Sequence, residues 1–135
     1  MRKTLIAAVA ATMLLGCGKD STGPGDGNPN PDPKHYTITI NGDVFDPDTL
    51  PVSASAPVYV GDVIIWKVAE GDAGQHQITF TDVPNGVSIN PTDTLTAAQT
   101  DSAIFLKPGT YKYTDVIDQG GGAKGSGVLI ISPLP

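Results

Sequence analysis

Across 135 residues the chain offers chemistry one thiol and two imidazoles, those of Cys17, His35 and His76. No methionine follows Met13, so beyond Cys17 every side chain able to hold a metal does so through nitrogen or oxygen. Asp115 and Asp118 stand close together just ahead of Gly120-Gly121-Gly122. An imidazole with two carboxylates is a donor set suited to Cu(II) or Zn(II), provided a fold assembles it, and equally a salt-bridged pair that needs no metal. His35 has no acidic partner at ligand spacing and is expected to be exposed and silent. Asn41, Asp43, Asp46 and Asp48 crowd oxygens as calcium loops do, but they lack the order of such a loop and its distal Glu, and Asn41-Gly42 and Pro47 explain them as turns. There is no Gly-x-Ser-x-Gly elbow, and carboxylates in one loop are usually solvated, so the chain is not expected to be an enzyme.

Cys17 closes Leu14-Leu15-Gly16-Cys17, behind a basic Arg2-Lys3 pair and an apolar stretch from Thr4 to Leu15. That stretch has secretory character and is too short to span a bilayer. Its end resembles the lipobox of bacterial lipoproteins, in which the cysteine is acylated and becomes the first residue of the mature chain. The resemblance implies a signal peptide over residues 1–16, lipidation of Cys17, and an exported protein held to the cell envelope by its acyl chains. Gly18 and Lys19 do not resemble the inner-membrane retention signal of enteric bacteria, which points to the outer membrane.

Removing Arg2 and Lys3 from eight basic residues leaves six against 14 acidic ones, a formal charge of −8. Such a chain is unsuited to nucleic acid and suits solubility or a cationic exported partner. A single cysteine allows no internal disulfide, so stability must come from a core. Residues 17–34 comprise the lipidated cysteine and a stretch of Gly, Pro, Asn and Asp without a large apolar side chain, expected to be a disordered tether. Residues 35–135 have the length of one domain.

The elements that must position any site are strands. Tyr36, Ile38 and Ile40 alternate with threonines before Asn41-Gly42. The same period of two returns at Ile64, Trp66 and Val68, at Ile78 and Phe80, at Ala103 and Phe105, at Tyr111 and Tyr113, and at Leu129 and Ile131. Pro84-Asn85-Gly86, Lys107-Pro108-Gly109 and the glycines at 120–122 separate them, and only Thr94 to Gln99 suggests a brief helical turn. Short strands at this spacing predict an all-β protein, a two-sheet sandwich or Greek-key barrel, with the aromatic residues in its core.

Four segments in order resemble the cupredoxins, the small blue copper proteins such as plastocyanin, pseudoazurin and amicyanin. Ile38 to Gly42 with Phe45-Asp46-Pro47 is similar to their first strand and turn. Val58 to Trp66 is similar to their Gly-Asp turn and following strand. Gly74 to Phe80 is similar to the stretch bearing the first copper histidine, here His76. Ala103 to Tyr113 is similar to the strand pair that leads into the ligand loop. The resemblance implies a cupredoxin-like Greek-key β-sandwich and brings His76 beside Asp115 and Asp118.

In that family the last strand runs into Cys, His and usually Met. Here Asp115 stands at the Cys position, Asp118 at the His position, and Ala123 or Gly125 at the Met position. The expectation is therefore a cupredoxin-like domain without type 1 copper or blue-copper electron transfer. It would act as a non-catalytic binding or structural module at the envelope. The alternative is a module that binds Cu(II) or Zn(II) through His76, Asp115 and Asp118. The loop from Gly120 to Gly127 is expected to be mobile, and its composition suits either a contact surface for another exported protein or relaxed sequence with no role.

Overall fold

In a computed structural model the chain is described over residues 27–117 and 124–135, and those residues form nine strands. In chain order they are β1 (His35–Asn41), β2 (Val44–Asp46), β3 (Thr49–Leu50), β4 (Val58–Tyr59), β5 (Val63–Val68), β6 (Ile78–Asp82), β7 (Thr100–Ile104), β8 (Gly109–Asp115) and β9 (Ser126–Ser132). They build two mixed sheets, one in the order β2-β1-β5-β7 and the other in the order β3-β9-β8-β6, with β4 also paired to β9. There is no helix among the described residues. Thr96 to Gln99 makes a single turn closed by Gln99 N–H on the Thr96 carbonyl at 2.9 Å.

The period of two explains which face each strand buries. Ile64, Trp66 and Val68 of β5 are buried, as are Ile38 and Ile40 of β1, Tyr111 and Tyr113 of β8, and Leu129 and Ile131 of β9. Each apolar side chain taken from water in this way contributes about 1.5–3 kcal/mol. Trp66 meets Phe80 and Tyr113 edge to face at ring centroid distances of 5.9 and 5.8 Å. At the end of β7, Phe105 is buried while Ile104 and Leu106 on either side point outward, 48% and 60% exposed.

Three pairings carry no periodic signature. β1 and β5 lie side by side in parallel, from His35 opposite Val63 to Ile40 opposite Val68. The two-residue strands β3 and β4 are parallel to β9. These pairings give the sandwich two distinct ends, about 20 Å apart along the six residues of β5. At one end, Val63 N–H meets the Lys34 carbonyl, Val60 N–H that of Ser132 and Gly61 N–H that of Phe105. At the other, Ala69 N–H meets the Ile40 carbonyl, Val116 N–H that of Gln77 and Asp115 N–H that of Gly125.

Where a disordered tether was expected up to residue 34, the structure instead fastens residues 28–34 to the first of these ends. Asn28 Nδ2 donates to the Gly61 carbonyl at 2.9 Å, and Asn30 Nδ2 and the Lys34 amide donate to Asp62 Oδ1 at 2.8 and 2.9 Å. Asp62 is 2% exposed, and its other oxygen accepts the Tyr59 amide at 2.8 Å. A buried carboxylate needs such donors, and a segment of Asn and Pro supplies them without an apolar side chain. Gly61 is required here twice over: its φ is +87°, and a Cβ would lie 2.2 Å from Asn28 Oδ1.

Candidate functional site

The site forms where β8 ends beside the residues that precede β6. Asp115 is the last residue of β8 and pairs with Ile78, the first of β6, which places it against His76. His76 is itself fixed by a two-way backbone bridge with Leu95, its N–H donating at 2.9 Å and its carbonyl accepting at 2.8 Å. The ring has no exposure to solvent.

Both ring nitrogens face carboxylates. Nδ1 lies 2.6 Å from Asp115 Oδ2, and Nε2 lies 3.2 Å from Asp72 Oδ2. A neutral imidazole donates from one nitrogen only, so both contacts are hydrogen bonds to ionised carboxylates only when the ring carries both protons. Asp115 is 1% exposed, and its second oxygen accepts the Gln77 and Ile117 amides, each at 3.0 Å. Asp72 accepts the Gly42 amide at 2.5 Å and the Gly74 amide at 2.7 Å. Burial by itself raises the Asp72 carboxyl, but those two amides and the His76 ring outweigh it and hold the group below its ordinary value.

The result is a closed chain of polar contacts, Asp72 to His76 to Asp115, with its remaining acceptor oxygens covered by backbone amides. Because the carboxylates sit on opposite sides of the ring, the three do not converge on one point. Among the described residues no group of three or more His, Cys, Asp or Glu is arranged to hold a metal ion.

The structure thus brings together His76 and Asp115, two of the three residues expected at a metal site. The third, Asp118, lies outside the described residues, as do Cys17 and the Gly120 to Ala123 half of the Gly120 to Gly127 loop. The pair is buried because the strand ends and the loops around Leu95 and Asp72 close over it. Asp72 was missed. Its signal was the spacing Asp72-x-x-x-His76 next to a glycine turn, and loop carboxylates at that spacing are too common to single it out. His35 is exposed at the start of β1. Asn41 and Asp46 of the calcium-like run sit in the β1–β2 hairpin, with Asp46 opposite Thr39 and Asn41 opposite Val44.

A second polar feature lies in the core. The indole N–H of Trp66 and the hydroxyl of Tyr113 are buried without a hydrogen-bond partner among the described residues. Burial pushes the Tyr113 phenol far up. The nearby Trp66 N–H offsets part of that without reaching hydrogen-bond geometry.

No family model and no curated protein matches the sequence. Solved structures do match in shape. The reduced Cu(I) form of a mutant amicyanin superposes with a TM-score of 0.56 at 19% identity, covering 73% of this chain and 82% of that one. A purple cupredoxin from Nitrosopumilus maritimus gives 0.52 at 20% identity, over 72% of this chain and 99% of that one. The copper-containing nitrite reductase of Thermus scotoductus SA-01 gives 0.55 at 22% identity, with 76% of this chain matching only 23% of that larger protein. At these identities the likeness establishes the fold: the domain is a cupredoxin-like all-β sandwich.

Proposed function

We propose that the chain is an exported lipoprotein, anchored through Cys17 to the outer membrane, whose cupredoxin-like domain works without type 1 copper as a non-catalytic binding or structural module. The observation that carries this reading is the closed state of His76, with no solvent exposure and both ring nitrogens facing carboxylates. A side chain so engaged has no lone pair directed at a ligand, and Asp115, the last residue of β8, is a carboxylate where the resemblance puts the family's thiolate. The only thiol in the sequence is Cys17, which the anchor consumes. The −8 charge of the chain from Cys17 onward supports an exported protein partner over nucleic acid.

Calorimetric titration of a soluble chain beginning at Gly18 with Cu(II) and Zn(II) tests the domain half of the proposal. The expected result is no binding tighter than about 1 μM. Tighter binding that disappears in His76→Gln would replace the proposal with the second reading, a copper- or zinc-binding module built on His76, Asp115 and Asp118. That reading draws on the 2.6 Å approach of two of its three donors. Intense orange-red absorption on loading with copper would instead favour blue-copper electron transfer, which the absence of sulfur after Cys17 opposes. For the anchor, acyl mass on Cys17 that is lost in Cys17→Ser, together with release from the membrane fraction, is the expected result.

A further inference from the structure

The lipid-anchor reading leaves open how the domain stands on its membrane, and the clip at residues 28–34 bears on this directly. Asn28 is bonded to Gly61, and the Gly61 amide is in turn bonded to the carbonyl of Phe105. The point where the chain enters the domain therefore adjoins Leu106, one residue further on. Between Cys17 and Asn28 lie eleven residue steps, which reach at most about 40 Å in any conformation. His76 and Asp115 lie at the opposite end of the sandwich.

Beside the polar clip, one side of the end that receives the chain is apolar. Ile104 and Leu106 project outward in alternation. Together with the partly buried Val87 and Ile89 they line an open groove of about 360 Å³. Lys107 lies beside them, its Nζ bonded to the Asn85 carbonyl. Four aliphatic side chains gathered beside the entry point of a lipid tether form a surface suited to the headgroup and acyl boundary of a bilayer.

We infer that, in the anchored protein, the Ile104 and Leu106 face rests on the bilayer to which Cys17 is attached, and that the end bearing His76, Asp115 and Val116 is turned outward. The occupant of the groove is the lipid interface itself, which the tether keeps within reach and which the clip places on the side where the chain enters, while the apolar side chains select this face. The inference rests on acylation of Cys17.

Single cysteines test it, because acylation leaves an introduced cysteine as the only free thiol. Leu106→Cys and Val44→Cys replace side chains of nearly equal exposure, 60% and 62%, at opposite ends of the domain. Each lipidated variant is labelled with an environment-sensitive fluorophore and reconstituted in phosphatidylcholine and phosphatidylethanolamine vesicles containing a nitroxide lipid. The expected outcome is a blue-shifted emission at position 106 and quenching at least threefold stronger there than at position 44. Equal quenching at the two positions, none at either, or stronger quenching at 44 would each overturn the orientation while leaving the anchor intact, provided mass spectrometry finds the acyl groups on Cys17. A chain without them would overturn the anchor and the inference together.

Discussion

Asp72 reaches Nε2 of His76 across 3.2 Å with the same oxygen that accepts the amide of Gly42, so one carboxylate ties the β1–β2 turn to the buried histidine. Two segments that are distant in sequence and lack any shared sheet pairing are thus joined through a charge. This has a direct consequence for acid stability. The folded-state value of Asp72 is depressed, so its contribution is present above the unfolded value near 3.8 and is lost as pH falls through the lower folded value. Urea midpoints measured between about pH 5 and 2 should fall more steeply for the native chain than for Asp72→Asn. Parallel acid limbs would show that the carboxylate contributes nothing.

The opposite side of the ring is more sensitive. Asp115→Ala leaves the amides of Gln77 and Ile117 without their acceptor and removes the partner of Nδ1 at full burial. Breaking a buried pair from one side costs about 3–5 kcal/mol, which should appear as a large drop in the urea midpoint. Asp115→Asn keeps an oxygen for the two amides and a polar atom against the ring, so its loss should be smaller. Equal losses in the two variants would mean that the ring contact, and not the pair of amides, dominates.

Much of this architecture was legible in the sequence because it rests on local alternation. Ile64, Trp66 and Val68, or Ile104 and Leu106 flanking Phe105, announce their faces through a period that any strand must obey. The parallel register of β1 on β5 is set by packing between segments more than twenty residues apart, which alternation does not encode. β3 and β4 are too short to show a period. His76 beside Asp115 came from resemblance to a family, whereas Asp72 joins them only because the loop after Ala69 folds back on Gly42. The clip escaped for a related reason. Its composition lacks apolar residues and reads as a tether, but what holds it is a buried carboxylate on a different segment.

Tyr113 offers a prediction in which removing a polar atom does little harm. Its hydroxyl is buried and unpartnered, so Tyr113→Phe should change stability by no more than about 1 kcal/mol near neutral pH. The ring contacts with Phe45 and Trp66 remain. At alkaline pH the two proteins should diverge. Burial raises the phenol in the folded state, so its contribution is present below the unfolded value near 10 and is lost as pH rises above it. The Phe variant should lack that part of the alkaline decline in denaturant titrations. A loss of several kcal/mol at pH 7 would imply a partner for the hydroxyl.

Gly127 explains why that ring fits. A Cβ there would lie 2.2 Å from both Cζ and the hydroxyl of Tyr113 and 2.7 Å from the Asp48 carbonyl oxygen, with backbone on one side and a packed aromatic on the other. Neither can yield cheaply, so Gly127→Ala should destabilise by about 3 kcal/mol or more. Combining it with Tyr113→Ala, which vacates the space, should recover part of the loss. A double variant whose cost is the plain sum of the two would show that the clash is taken up elsewhere.

Asp62 sets where the folding unit begins. A chain starting at His35 removes Asn30 Nδ2 and the Lys34 amide and leaves Oδ1 of a carboxylate that is 2% exposed without either donor. An unmet acceptor of this kind costs about 1–3 kcal/mol, and opening a path for water to reach it offsets only part of that. A chain starting at Gly27 should therefore unfold at a clearly higher urea concentration than one starting at His35. Asp62→Asn should narrow the gap, since a neutral amide loses less when its donors are gone. If the two lengths unfold together, residues 27–34 rest on the domain without stabilising it, and the clip could not hold an anchored domain in one orientation.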